Sequence, residues 1–190
     1  MKKFTLTLFI AATIISSANL FAQNKSYLKD RIMVEGVYKR NIGNFSSVWS
    51  DASGAYVSYG IAFPEHNLLI FRSGYISNNL RDGVNYQDAS SIIVPLHIGG
   101  RYYFNNDRFM PYFTFMNGLN LVFENTNLEG VKEDKTLVKY AWEVGFGLST
   151  YLFSNLIFDV SVNYNSHFYQ TDAMMTGFAY DFGLAWALGK

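Results

Sequence analysis

The chain of 190 residues contains no cysteine and only 3 prolines. The first absence removes disulfides, thiolate metal centres, cysteine nucleophiles and a lipid-anchored N-terminus of the bacterial lipoprotein kind. Charge is scarce too: 16% of residues are charged, where an ordinary soluble domain carries roughly a quarter. Lys+Arg and Asp+Glu stand at 15 each, so the basic surface on which nucleic-acid binding rests is missing. Beyond Ala22 there is no uninterrupted apolar run approaching the ~20 residues of a membrane-spanning helix.

What is abundant is aromatic. Phe, Tyr and Trp make up 18% of the chain, and 49% of residues are apolar, enough for one packed domain. That many rings must face something other than water.

Residues 1–22 have the three parts of a secretory signal: Lys2 and Lys3, an apolar stretch from Phe4 to Ile15, then small and polar residues before Ala22. The stretch is too short to stay in a membrane, so the expected division is a signal peptide over 1–22, cleaved after Ala22, and one domain over 23–190.

The mature chain alternates with period two, the mark of strands with two unlike faces. Phe178, Tyr180, Phe182, Leu184 and Trp186 interleave with Ala179, Asp181, Gly183 and Ala185. The same pattern runs through Ile92 to Phe104, Tyr140 to Leu152 and Phe158 to Tyr164. Weaker versions run through Arg31 to Lys39, Ala55 to Phe63, Leu68 to Ile76 and Tyr112 to Val122. Eight strands result.

Their connections alternate. Arg40 to Gly54, Ser77 to Ala89, Phe123 to Lys139 and Ser166 to Met175 are long and polar; Pro64 to Asn67, Asn105 to Arg108 and Phe153 to Asn155 are tight. Alternating long and short connections are what an up-and-down barrel shows when its two rims face different compartments. The expected fold is therefore all-β, an eight-stranded antiparallel up-and-down transmembrane barrel.

A soluble lipocalin-like barrel would turn its apolar face inward around a ligand. Eight strands, however, enclose a space just wide enough for side chains, and the bulky face carries far too many rings to fit there. The bulky face is therefore read as outward. The strand charges then point inward, Glu35, Glu143, Asp159 and Asp181 against Arg72, Arg101 and Lys39, and are expected to pair as a network that closes the lumen. Phe63, Phe104, Tyr112 and Trp186 are expected at the tight-turn rim, and Trp142, Tyr164 and Phe178 at the long-loop rim, as interfacial girdles.

The segment Ile92-Ile93-Val94-Pro95-Leu96, with Arg101-Tyr102-Tyr103-Phe104, Pro111-Tyr112 and Val144-Gly145-Phe146-Gly147-Leu148, resembles small bacterial outer-membrane β-barrel domains related to the OmpA and OmpX transmembrane barrels. The resemblance is one of residue types over the whole mature chain. It implies an outer-membrane location, contact with membrane lipid and lipopolysaccharide, and insertion by the barrel-assembly machinery. Trp186 or Leu188 would take the place of the terminal aromatic such barrels commonly carry.

Chemistry is thinly represented. Of three histidines, His66 falls in a tight turn, His97 on the inner face, and His167 at the start of an outer connection beside Ser166. His167-Phe168-Tyr169 resembles the His-x-Ser element of outer-membrane lipid A deacylases, with Tyr169 where the nucleophilic serine should stand. Ser166 does not replace it, since adjacent strand residues point to opposite faces. The acidic residues Glu129, Glu133 and Asp134 are interrupted by Lys132, which reads as a solvated loop rather than a calcium loop. No metal and no cofactor is expected. The leading expectation is a non-enzymatic barrel with a plugged lumen, acting structurally or on an extracellular or envelope protein through outer loops. The alternatives are a lipid A hydrolase using His167, a narrow channel and a soluble ligand-binding barrel. Phe45, Trp49, Tyr86, Phe168, Tyr169, Met174 and Met175 either present a contact surface or fold back over the barrel mouth.

Overall fold

A computed structural model describes residues 28–64, 66–81, 88–105, 107–128, 131–170 and 173–189. The signal segment and its cleavage bond lie outside them. Eight strands form: β1 (Arg31–Ile42), β2 (Trp49–Phe63), β3 (Asn67–Leu80), β4 (Asp88–Tyr103), β5 (Phe109–Leu128), β6 (Val131–Tyr151), β7 (Leu156–Gln170) and β8 (Ala173–Ala187). Each pairs antiparallel with its neighbour in sequence. The β1–β8 ladder, from Arg31↔Ala187 to Ile42↔Thr176, closes the barrel. Closure leaves no unpaired edge along the girth of the wall, and only closed barrels and helices satisfy backbone groups in hydrocarbon.

The two faces separate as period two requires. On β1, Ile32, Val34 and Tyr38 are exposed while Met33, Glu35, Val37 and Lys39 are buried; on β8, Phe178, Tyr180, Phe182, Leu184 and Trp186 are exposed while Ala179, Asp181, Ala185 and Ala187 are buried. The bulky face is outward, as expected.

The strands outrun the alternating pattern that announced them. Phe123 to Lys139, expected as a loop, is largely ladder: β5 and β6 stay paired up to Leu128↔Val131. Backbone hydrogen bonds extend a hairpin without help from side chains, whereas apolar alternation marks only the part of a strand whose outer face meets an apolar medium. Glu133 and Asp134 accordingly belong to β6, and Glu129 lies outside the described residues. The first long connection shrinks to a 3₁₀ turn, Gly43–Ser47, entered through Gly43 at φ 67°.

The wall has unequal height. The β6–β7 ladder reaches up only to Ala141↔His167. Above that pair β6 continues against β5 alone, and β7 against β8 alone. Residues 131–140 of β6 thus have one strand partner among the described residues.

Inside, crowding sets the small residues. A Cβ on Gly147 would fall onto the Tyr112 phenol, and one on Gly145 onto the Asn163 side chain. Glycine at these positions is what lets large inward side chains from the facing wall fit. Gly147→Val is expected to displace Tyr112 and cost about 1–3 kcal/mol, the usual penalty for overpacking. Urea unfolding in detergent measures it, and an unchanged midpoint would contradict this packing.

Candidate functional site

The lumen is built in layers, and β1 shows their order. Reading up from the tight-turn end, its inward residues are Arg31, Met33, Glu35, Val37 and Lys39. Met33 belongs to a lower apolar cluster with Leu68, Ile70, Tyr103, Met110, Tyr112, Met116 and Ile157. Val37 belongs to an upper one with Phe45, Trp49, Tyr56, Ile76, Ile93, Val122 and Met175. Glu35 sits between them in an ionic layer.

That layer is centred on Glu35. Arg101 Nη2 donates to Glu35 Oε1 at 2.9 Å, and Arg101 Nη1 donates to Asp159 Oδ2 at 2.9 Å. Arg72 Nη1 donates to Glu143 Oε1 at 2.7 Å, while Arg72 Nη2 lies 3.7 Å from Glu35 Oε2 and 3.9 Å from Asp181 Oδ2. All six of these expected lumen residues are thus brought together. Hydroxyls and amides take up remaining lone pairs: Tyr112 donates to Asp159 at 2.6 Å, Ser149 donates to the same carboxylate, and Asn163 donates to Asp181 at 2.7 Å. The Arg101 guanidinium lies 4.4 Å from the centre of the Tyr112 ring and that of Arg72 lies 4.8 Å from the centre of the Tyr56 ring. Each of these two guanidinium groups therefore meets both opposite charges and an aromatic face.

Two cations flank the layer. Arg31, below, donates to the Tyr103 hydroxyl and to the Lys29 carbonyl, each at 3.3 Å. Lys39, above, has its Nζ 3.3 Å from His167 Nε2. Neither has a carboxylate within 4.0 Å among the described residues. The His167 Nδ1 atom is 2.6 Å from the Asn120 side-chain amide, whose other end is 2.9 Å from His97 Nε2. Asn120 Nδ2 donates to His167 Nδ1 and His97 Nε2 donates to Asn120 Oδ1, so the amide links the two imidazoles in one row.

One girdle residue is misplaced by the sequence reading. Tyr112 does not join the tight-turn rim: it is fully buried in the lumen, bonded to Asp159 and edge-on to Tyr103 at 5.3 Å. On β5 the outward residues are its neighbours Pro111 and Phe113, and the register Tyr103↔Tyr112 turns both tyrosines inward. Phe63, Phe104 and Trp186 are exposed on the outer face toward the tight turns, and Phe178 is exposed near the long-loop end. Trp142 and Tyr164 lie beside Phe178, half-buried because the three rings pack in succession at 5.6 Å.

Among the described residues His167 has no carboxylate partner of the kind that orients a hydrolytic base. Its partners are an amine and an amide, and Asp181 is engaged by Asn163, Ser161 and Arg72 instead. Asp172 lies outside the described residues. No group of three or more His, Asp or Glu able to hold a metal occurs among the described residues. Of the aromatic and Met residues weighed as a contact surface, Phe45 and Trp49 stack at 6.0 Å and fold over the barrel mouth with Met175; Phe168 and Met174 stay exposed. Tyr86 and the side chain of Tyr169 are outside the described residues.

Sequence reading missed the large inward side chains Tyr56 and Tyr112, and the role of Asn120 between two histidines. The alternation carries the signal for Tyr103, which lies two residues from Arg101 and shares its inner face. For Asn120 there was none, because the partners converge only across the closed lumen.

Arg101→Met should cost about 3–5 kcal/mol in urea unfolding, the usual result of removing one partner from a buried ion pair. Arg101→Met combined with Asp159→Asn should cost less than the two single changes together, and strict additivity would show that the pair is uncoupled.

No protein-family model matches the chain, and no curated protein matches it. Among solved structures, Neisserial surface protein A aligns with a TM-score of 0.56 and 14% identity, covering 84% of this chain and 97% of that one. Ail, the attachment invasion locus protein of Yersinia pestis, aligns with a TM-score of 0.61 and 16% identity, covering 84% of this chain and 98% of that one. The chain has the fold of these small eight-stranded outer-membrane β-barrels.

Proposed function

We propose that the chain is an integral outer-membrane β-barrel protein, with a lumen plugged by its own side chains and a structural or surface-interaction role at its loop end. The observation that carries this reading is the inversion of an ordinary soluble domain: Phe71, Phe115, Phe146, Phe182 and Trp186 are exposed on the wall while Arg72, Arg101, Glu143 and Asp181 are buried. Exposed apolar surface in water costs roughly 25 cal/mol per Å², so a wall of such side chains is stable only against hydrocarbon. The signal-like N-terminus and the alternation of tight and extended connections support export and insertion across an outer membrane.

On this reading the wall contacts membrane lipid and lipopolysaccharide, and insertion depends on the barrel-assembly machinery. The tall β5–β6 hairpin supports an envelope or extracellular protein as the loop-end partner. The edge of 131–140 that faces away from β5 offers backbone donors and acceptors for strand addition, and charged residues such as Asp134 and Lys135 discourage indiscriminate pairing. The apolar clusters above and below the ionic layer favour a closed lumen over a channel.

Cell fractionation should recover the protein in the outer membrane, with faster migration on gels before boiling than after; recovery as a soluble periplasmic monomer would refute the proposal. Planar-bilayer recordings should show no stable open conductance. His167→Ala should leave lipid A acylation unchanged, and a change would restore the hydrolase alternative.

A further inference from the structure

Just below the split in the wall between β6 and β7 lies a cavity of about 20 Å³. Residues from both faces of the wall line it: Lys39, His97, Asn120 and His167 from inside, Trp142 and Ser166 from outside. Its inner end holds polar atoms with few partners. The Lys39 ammonium, 2% exposed, has three protons and one side-chain partner, His167. His97 Nδ1 and the Oγ of Ser166, a residue 1% exposed, are buried without hydrogen-bond partners. Glu143 also lines the cavity, but its Oε1 accepts from Arg72 at 2.7 Å.

The outer end is apolar. Where the ladder stops, Tyr140 and Phe168 stack across the split at 6.3 Å, with both rings exposed. Val138 and Met174 are exposed beside them. Just below lie the packed rings of Trp142, Tyr164 and Phe178, the kind of aromatic cluster that marks a bilayer interface. Tyr140 and Phe168 adjoin Ala141 and His167, the last ladder pair, so the split begins beside the buried Lys39–His167 contact.

We propose that this split is a lateral binding cleft for a single-chain amphiphile with a carboxylate head. The head accepts hydrogen bonds from Lys39 and Ser166, and the chain lies outward along Val138, Tyr140 and Phe168. A space of this size takes one water-sized group, which suits one carboxylate oxygen and not a bulkier phosphodiester. Entry of the whole head requires the Tyr140–Phe168 stack to part. That contact is the cheapest part of the wall to open, since no backbone ladder is broken there.

The inference rests on the barrel lying in a bilayer, and the test separates the two. Full-length protein is reconstituted as two single-tryptophan variants, one retaining Trp142 (Trp49→Phe with Trp186→Phe) and one retaining Trp186 (Trp49→Phe with Trp142→Phe). Brominated phosphatidylcholine should quench Trp186, reporting membrane embedding alone; absence of that quenching refutes embedding. Dibrominated stearic acid should quench Trp142 saturably and with about tenfold higher apparent affinity than the matching alcohol, the effect of one charge-assisted hydrogen bond. Trp186 should show no such preference. Lys39→Met should abolish the preference and Lys39→Arg should keep it, with the gel shift on boiling confirming an assembled barrel. Equal quenching by acid and alcohol at Trp142, an unsaturable response, or a preference surviving Lys39→Met would overturn the proposal. The acid-versus-alcohol comparison with Lys39 intact decides the matter even if the Lys39 variants do not assemble.

Discussion

Closure of the ladder between β1 and β8 is the constraint on which the rest depends. Pairing from Arg31↔Ala187 to Ile42↔Thr176 converts a meander into a tube. Once the tube is closed every strand has an inside and an outside, and the interior volume is limited. An open sheet could relieve a large inward side chain by flexing; a closed one must accommodate it by shrinking another. The opposition of Gly147 to Tyr112, and of Gly145 to Asn163, is the local form of that limit.

The same limit makes the ionic layer tolerable. Four carboxylates, Glu35, Glu143, Asp159 and Asp181, lie buried between the two apolar clusters. Arg72 and Arg101 meet them with forked guanidinium groups that reach several acceptors at once, as an ammonium does less well. Glu35 belongs to both forks, so the two arginines form one network spanning the barrel from β1 to β8. Such a network depends on side chains from six strands arriving in register. It ties the layer's stability to the completeness of the wall.

Period-two alternation made the fold legible because the outward side chains are apolar over the middle of the strands. Where that apolar face ends the pattern ends too, although the hydrogen bonds do not. The upper β5–β6 hairpin was hidden for this reason: Thr136 and Asp134 look like loop residues until their pairing with Phe123 and Asn125 is seen. The lumen charges were legible as a set, since charge on a strand whose other face is greasy has to point inward. Their partners were not, because Arg101 reaches Asp159 across the closed tube over 58 positions of sequence. Tyr112 misled because a tyrosine near a turn fits two environments, and only the register of β5 against β4 decides which way it points. The Lys39–His167–Asn120–His97 row escaped notice for a related reason, each member being unremarkable on its own strand.

Arg31 and Lys39 also give the lumen a charge profile along its axis. Between these two cations the ionic layer carries two more carboxylates than guanidinium groups in formal charge, so the tube reads positive, negative, positive from one end to the other. Such an arrangement is a linear quadrupole with the axial dipole largely cancelled. A cation entering from either side meets repulsion first, and an anion that passes the entrance meets it at the centre. The profile thus opposes small ions of either sign.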